Sequence, residues 1–247
     1  MADFNYKITV QYDGTRYKGW QVQNSTDDTI QGKLENVISR LTDEEVQVIG
    51  SGRTDAGVHA IGQIANFHLK NELAEDFLKQ LNHYLPEDIA VTSMQMVDSR
   101  FHARYSAIEK TYRYRIYTGI YPNVFERKYV YDYKDAKLDV GQMRKAAAYF
   151  MGEHDFKSFC GNKHMKKSTV RTIKSIHIEE KDNEIIIDYT GDGFLKNMIR
   201  IMTGTLIEVG NGTKSPDEMP AILEGLNREN AGYTAPPSGL SLVNVVY

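Results

Sequence analysis

The chain has 247 residues, of which 41% are apolar and 26% are charged, with a net charge of −3. This balance is typical of a folded globular protein and excludes a disordered chain, and the net charge alone argues mildly against a nucleic-acid partner. No apolar run approaches the roughly 18–20 residues of a membrane span, and residues 1–10 lack the pattern of a secretory signal, so we expect no membrane association. The single cysteine, Cys160, favours a reducing compartment, and we expect a cytoplasmic protein.

The charge is unevenly distributed along the chain. Residues 100–174 contain 17 Lys+Arg and 7 Asp+Glu, a local net charge of +10 that leaves −13 for the rest. Such asymmetry suggests a polyanionic partner. We expect the basic residues to line one face of the folded protein and the acidic residues to point elsewhere.

The first half of the chain alternates strand and helix patterns. Apolar residues with period two, or in short runs beside turn residues, predict strands at 6–12, 46–49, 63–69 and 89–97. Apolar residues at 30, 34, 37, 38 and 41 predict a helix that Asp28 or Thr29 caps. A second helix over 77–85 is closed by Pro86.

The second half repeats this order approximately. It contains a predicted strand at 110–117, a helix with Met143, Ala147 and Phe150 on one face, and a hairpin of 170–180 and 184–190 across residues 181–183. Helices over 195–208, with Gly210 just beyond the end, and 218–226 precede a last strand at 240–247. The pattern predicts an α+β fold of two α/β halves, 1–105 and 106–247, that share a mixed, mostly antiparallel sheet flanked by helices and form one catalytic domain.

A glycine-rich loop at residues 50–57 is the densest candidate for chemistry. Arg53 and Asp55 lie between its glycines, and an arginine beside a carboxylate favours the ionised form. Asp55 could therefore be a nucleophile, or the Arg–Asp pair could only stabilise the turn. The loop is not a phosphate-binding P-loop, because no Gly-Lys-Ser/Thr follows it.

Tyrosines and cations of the basic segment form a second candidate. Tyr112 and Tyr114 share one face of the predicted strand 110–117, where they could stack on nucleobases or simply be half-buried sheet residues. Phosphate contacts require positive charge of the kind found at Arg104, Lys163, Lys166 and Lys167. The alternative is that these residues form an ordinary solvated surface.

Two other kinds of site receive little support. His154, Cys160 and His164 match no paired-ligand zinc spacing and lack a fourth ligand nearby, so no metal site is predicted. Asp192 is the only second loop carboxylate in a setting like that of Asp55, and it is either a partner of Asp55 or a turn residue.

Several segments, in this order and spacing, resemble the tRNA pseudouridine synthase A family over essentially the whole chain. They are Tyr12-Asp-Gly14, Lys18-Gly-Trp-Gln-Val-Gln23, Thr29-Ile-Gln31, Gly52-Arg-Thr-Asp-Ala-Gly-Val-His59, Phe101-His-Ala-Arg104, Tyr112-Arg-Tyr114, Gly193-Phe-Leu-Lys-Asn-Met-Ile-Arg200 and Pro236-Pro-Ser-Gly-Leu240. The resemblance implies the pseudouridine synthase fold and an isomerase that converts uridine to pseudouridine at positions 38, 39 and 40 of the tRNA anticodon stem-loop. Such an isomerisation requires no cofactor, and the resemblance also implies a homodimer.

The resemblance further implies a role for each site residue. Asp55 would form a covalent adduct with a flipped-out nucleotide, and Arg53 would open or hold the site. Tyr112 would stack on the target base and could accept the proton of carbon 5. Arg200 would pair with the Asp55 carboxylate, and Leu240 would form an apolar wall.

Several basic residues are predicted to contact the RNA, and two alternative functions remain open. Residues that we expect to bind substrate beside Tyr112 and Leu240 are Arg104, His59, Lys163, Lys166 and Lys167. A nucleoside hydrolase would require a second catalytic carboxylate and would release uracil. A non-catalytic RNA-binding module would use only Tyr112 and the basic segment.

Overall fold

A computed structural model of the chain describes residues 4–135, 137–162 and 164–247. The chain divides into two compact units, one running up to Ile108 and including Ser241–Tyr247, the other formed by Glu109–Leu240. The end of the chain therefore belongs with its beginning. Within the described ranges, no helix is both long and apolar enough to cross a lipid bilayer.

Strands and helices alternate through both units. The strands are β1 (Phe4–Tyr12), β2 (Ile49–Gly50), β3 (His59–Leu69), β4 (Ile89–Val97), β5 (Glu109–Tyr117), β6 (Tyr131–Asp132), β7 (Gly152–Asp155), β8 (Val170–Lys181), β9 (Glu184–Gly191) and β10 (Leu240–Val246). The α-helices are α1 (Ile30–Thr42), α2 (Phe77–Tyr84), α3 (Val140–Ala148), α4 (Met198–Gly210) and α5 (Met219–Glu224).

In the first unit, β1 lies between β3 and β4 and pairs antiparallel with both. Tyr6, Ile8 and Val10 of β1 are buried, as the period-two pattern predicts. The other edge of β3 pairs antiparallel with β2 and parallel with β10. Helix α1 packs on α2 and begins as predicted, since Thr29 Oγ1 accepts the Gly32 N–H at 3.2 Å.

In the second unit, β9 lies between β5 and β8 and pairs antiparallel with both. Strand β7 pairs antiparallel with β8, and β6 pairs parallel with β5. Helix α3 packs on α4 and on β8. The predicted hairpin is confirmed, with its turn at Asp182 and Asn183, and the predicted α+β class with mostly antiparallel strands is confirmed as well.

The strand predicted at 46–49 is wrong in its bounds, because the only paired residues there are Ile49 and Gly50 of β2. Side chains of α1 take the backbone donors of the preceding residues. Ser39 Oγ accepts the Val46 N–H at 3.0 Å, and Glu35 Oε1 accepts the Val48 N–H at 2.8 Å. A segment whose N–H groups bond to side chains cannot offer them to a neighbouring strand.

Other boundaries also differ from the predictions. Helix α4 begins at Met198 and not at 195, because Asn197 has a left-handed φ of 58°, and it continues through Gly210. The predicted helix 218–226 is a 3₁₀ turn followed by α5, and Phe150 lies beyond the end of α3. Strand β3 begins four residues before position 63, and the two short strands β6 and β7 were not predicted.

Candidate active site

The loop between β2 and β3 presents Asp55 as a half-buried side chain and Arg53 as an exposed one. Backbone hydrogen bonds hold the loop on both sides of the aspartate. The Thr54 carbonyl accepts the Trp20 N–H at 3.1 Å, and the Asp55 carbonyl accepts the Val58 N–H at 3.1 Å. The carboxylate therefore projects from a backbone whose conformation is already defined, as a nucleophile requires.

The segment Lys18–Gln23 packs against this loop through Gly19 and Trp20. Gly19 has a φ of +100°, and a Cβ there would lie only 2.7 Å from the Thr54 carbonyl oxygen. A Cβ on Gly50 would lie 2.6 Å from the indole ring of Trp20. These two positions require glycine because the backbone or a ring occupies the space of a side chain.

His59 follows the loop and is almost fully buried, with 3% exposure. Its Nδ1 accepts the Gly14 N–H at 3.0 Å and lies 3.3 Å from Asp13 Oδ1. The same ring nitrogen therefore contacts both the backbone of Gly14 and the carboxylate of Asp13. The segment Tyr12-Asp13-Gly14 thus also contacts the loop, and His59 has a packing role that its sequence position did not reveal.

Tyr112 lies in the second unit, on the face of β5 that it shares with Tyr114, as the alternation predicts. Its side chain is 7% exposed, and the edge of the Phe194 ring packs against it, with ring centroids 5.3 Å apart. The Tyr114 hydroxyl donates to the Pro236 carbonyl at 2.7 Å, and burial raises the pKa of Tyr114 well above its ordinary value. Tyr114 is therefore a core residue, and Tyr112 retains a small accessible surface.

Arg200 lies in the first turn of α4 and is half-buried. Its Nε donates to the Ala235 carbonyl at 2.7 Å, and its Nη1 donates to Asn197 Oδ1 at 3.1 Å. These two bonds define the direction of the guanidinium plane. Leu240 is buried, with 5% exposure, at the start of β10.

The predicted phosphate contacts differ in their surroundings. Arg104 is exposed, 5.8 Å from the centroid of the Tyr105 ring, and Lys166 and Lys167 are exposed in the segment before β8. Lys163 lies outside the described residues. Asp192 is exposed, and its Oδ1 accepts the Thr172 N–H at 3.0 Å, which gives this carboxylate a role in closing the end of the β8–β9 pair.

The expectation that acidic residues point away from the basic segment is wrong for two arginines of β5. Arg113 forms two hydrogen bonds of 2.8 Å to Asp188, and this partner raises the pKa of the guanidinium. Arg115 pairs in the same way with Glu184. Both acids lie on β9, where Asp188 is directly opposite Arg113 and Glu184 is diagonal to Arg115, two residues from its cross-strand partner Ile186.

Comparison with known proteins decides the family. The family model for tRNA pseudouridine synthase matches residues 8–106 and 146–247. The chain belongs to the tRNA pseudouridine synthase family. It is 48% identical over 244 residues to the tRNA pseudouridine synthase A of Bacillus sp. (strain KSM-64), covering 98% of this chain and 99% of that protein.

A second relative supports the same family. The tRNA pseudouridine synthase A of Acetivibrio thermocellus is 46% identical over the same shares of the two chains. Among solved structures, the archaeal box H/ACA sRNP Nop10–Cbf5 complex matches 82% of this chain and 44% of that chain, at 13% identity and a TM-score of 0.37, a likeness too weak to support any conclusion. Membership of this family means that the protein is a tRNA-modifying enzyme that isomerises uridine. The predicted isomerase activity is therefore confirmed.

Sequence reasoning missed residues whose function is to hold others. Asn197 lies within one of the motifs but is not among the predicted site residues, although an asparagine directly before an apolar helix is a candidate for the left-handed conformation. Gln63 was assigned only to a strand, and a buried glutamine on a strand is recognisable only once its partners are known.

Proposed function

We propose that this enzyme converts uridine to pseudouridine at positions 38, 39 and 40 of the tRNA anticodon stem-loop, through base flipping and a covalent adduct with Asp55. The observation that carries the proposal is the position of Asp55, a half-buried aspartate on a loop that is hydrogen-bonded on both sides. A nucleophile held in this way has little freedom to lose when the substrate binds. The positions within tRNA and the adduct rest on the resemblance of the motifs.

The reaction breaks the bond between the ribose C1′ and base N1 and forms a bond between C1′ and C5. The proton on C5 leaves and N1 gains one, so atoms and electrons balance without a redox partner. Asp55 would attack either C1′ or the base in the first step. Extracting the nucleotide from its stack costs a few kcal/mol, which stacking on an aromatic ring offsets by about 1–3 kcal/mol.

Other residues would assist Asp55. Tyr112 would supply the stacking ring, and its oxygen, in the deprotonated phenolate form, would accept the C5 proton. Arg200 would pair with the Asp55 carboxylate and keep it ionised, since a guanidinium does not lose its own proton at neutral pH. Arg53 would hold the opened site, and Leu240 would exclude water from one side of the base.

Substitution of Asp55 tests the proposal directly. We expect Asp55→Asn to abolish pseudouridine in the anticodon stem-loop, measured by carbodiimide modification and primer extension, while tRNA binding persists because phosphate contacts remain. Asp192→Asn is the matched control and should retain activity, since its carboxylate bonds to the Thr172 backbone.

Three results would contradict this reading. Wild-type turnover in Asp55→Asn would exclude the nucleophile. Release of free uracil would favour a nucleoside hydrolase. Modification by the wild type only outside positions 38–40 would refute the proposed specificity.

The assembly and location belong to the same proposal. From the resemblance we infer a homodimer in which each chain forms one catalytic domain. We infer a cytoplasmic location because the chain contains a single cysteine, Cys160, which is buried. Light scattering on the purified protein tests the dimer, and a monomer at micromolar concentration would contradict it.

A further inference from the structure

A cluster of four buried polar side chains lies against the loop that carries Asp55. Tyr12 is 5% exposed, Thr54 6%, and Ser51 and Gln63 are fully buried. Tyr12 belongs to β1 and Gln63 to β3, the two strands that pair in the centre of this unit. The other two members are residues of the loop itself.

The hydrogen bonds of this cluster all end on the loop. The Tyr12 hydroxyl and Thr54 Oγ1 are 2.8 Å apart. Ser51 Oγ donates to Gln63 Oε1 at 2.7 Å, and Gln63 Nε2 donates to the Gly52 carbonyl at 2.9 Å. Both sets of bonds end on the stretch from Ser51 to Thr54, so the cluster holds the loop at two points.

Such a network specifies one conformation of the loop. Burying a polar group without a hydrogen-bond partner is unfavourable, so conformations of the loop that break any of these bonds are disfavoured. Burial raises the pKa of Tyr12, and its hydroxyl therefore keeps its proton throughout the physiological range. The network holds residues 51, 52 and 54. Thr54 immediately precedes Asp55 in the chain, so the network defines the backbone position of the aspartate.

We propose that Tyr12 and Gln63 are positioning residues, which act through Thr54 and Gly52 to hold Asp55 in the orientation required for attack. This inference rests on the proposed function of Asp55. It predicts a defect in the chemical step and not in tRNA affinity, because neither side chain is exposed to the substrate. A displacement of about 1 Å at a reacting group lowers a rate by up to about 10²-fold.

The chain contains a matched control for the lost hydrogen bond. The Tyr189 hydroxyl and Thr203 Oγ1 form a buried pair 2.9 Å apart in the second unit. Burial raises the pKa of Tyr189 as it does that of Tyr12. Tyr12→Phe and Tyr189→Phe therefore remove the same kind of bond, but only the first bond leads to the loop.

The experiment measures single-turnover release of tritium from tRNA labelled at C5 of uridine, together with the tRNA Kd and the melting temperature of each variant. We expect Tyr12→Phe to slow the reaction at least about tenfold, with a Kd within about twofold of wild type. Tyr189→Phe should lower the melting temperature similarly and react at the wild-type rate. Gln63→Glu, which lacks the amide donors, should resemble Tyr12→Phe.

Thr54 separates positioning from general loss of structure. Thr54→Val removes the hydroxyl at nearly constant shape and should slow the reaction, whereas Thr54→Ser retains the hydroxyl and should restore most of the rate. The double variant Tyr12→Phe/Thr54→Val should be about as slow as the slower single variant, because the two substitutions remove the same hydrogen bond.

Three outcomes would overturn the inference: a wild-type rate for Tyr12→Phe, an equal rate loss in Tyr189→Phe, or fully additive losses in the double variant. Failure of the proposed function would look different. In that case the wild type itself would release no tritium, or Asp55→Asn would react as fast as wild type.

Discussion

Arg200 and Asn197 show how one residue sets the direction of another. Asn197 adopts a φ of 58° immediately before α4, and its Oδ1 accepts a hydrogen bond from Arg200 Nη1. Gly161 packs against the Asn197 side chain, since a Cβ on Gly161 would lie only 2.6 Å from Asn197 Nδ2. The orientation of the guanidinium is thus established by the protein before any substrate arrives.

We therefore expect Asn197→Gly to slow pseudouridine formation by about three- to tenfold with little change in melting temperature. Glycine accepts the left-handed conformation freely but offers no side-chain oxygen to Arg200. Asn197→Asp retains the acceptor and should react faster than Asn197→Gly. Equal rates for the two variants, measured by tritium release, would argue that the contact has no effect on the reaction.

Single residues were predictable where chemistry is local. Asp55 stood out because glycines and an arginine surround it in the sequence. Gln63 did not, because its partners Ser51 and Gly52 precede it by more than ten residues and meet it only after β3 forms. Residues that hold others are recognised from tertiary contacts, which the residue type alone does not show.

Among the elements, the β8–β9 hairpin combines predictable local chemistry with a conformational penalty. Its turn residues Asp182 and Asn183 have φ values of 52° and 65°. Two consecutive left-handed residues match the twist of antiparallel strands, and the second position favours glycine. The hairpin was predictable because this preference is encoded in adjacent residues.

Asn183→Gly should stabilise the protein by about 0.5 kcal/mol, because glycine adopts the observed φ without the steric penalty of a Cβ. Asn183→Ala is the opposite control and should destabilise it by about 1 kcal/mol. Denaturant unfolding followed by circular dichroism measures both. A lower stability for Asn183→Gly than for Asn183→Ala would refute this account of the turn.

Elements were mispredicted where distant partners decide their limits. The valines before β2 have strand-like periodicity, but side chains of α1 take their N–H groups. The first residues of β3 look like loop, yet His59 and Ala60 pair with Ser241 and Leu242 of β10. Neither partner can be inferred from a short window of sequence.

At the scale of the whole molecule, the net charge of +10 on residues 100–174 overstates the positive charge that is available to bind RNA. Arg113 and Arg115 are neutralised by Asp188 and Glu184, which lie outside residues 100–174, and Lys174 pairs with Glu109 at 2.8 Å. Lys166 and Lys167 remain exposed. We expect those two lysines to contribute more to tRNA affinity than the lysine of the ion pair.

The salt dependence of binding tests this expectation. Replacing both Lys166 and Lys167 by glutamine should weaken tRNA binding and reduce the slope of log K against log salt by about two. Lys174→Gln is the matched control. It should change the slope by less than replacement of either Lys166 or Lys167 alone. Filter binding at several salt concentrations measures the slopes, and an unchanged slope in the double variant would remove these lysines from the RNA interface.

Strand β10 also constrains the order in which the protein can mature during synthesis. It pairs with β3 at His59 and Ala60, only a few residues after Asp55, yet it is made after the entire second unit. A nascent chain on the ribosome can thus fold the helices and most strands of its first unit early, while the parallel edge beside the loop of Asp55 stays unpaired until residues 241 and 242 emerge. The surroundings of that loop are therefore completed only after the second unit has been synthesised.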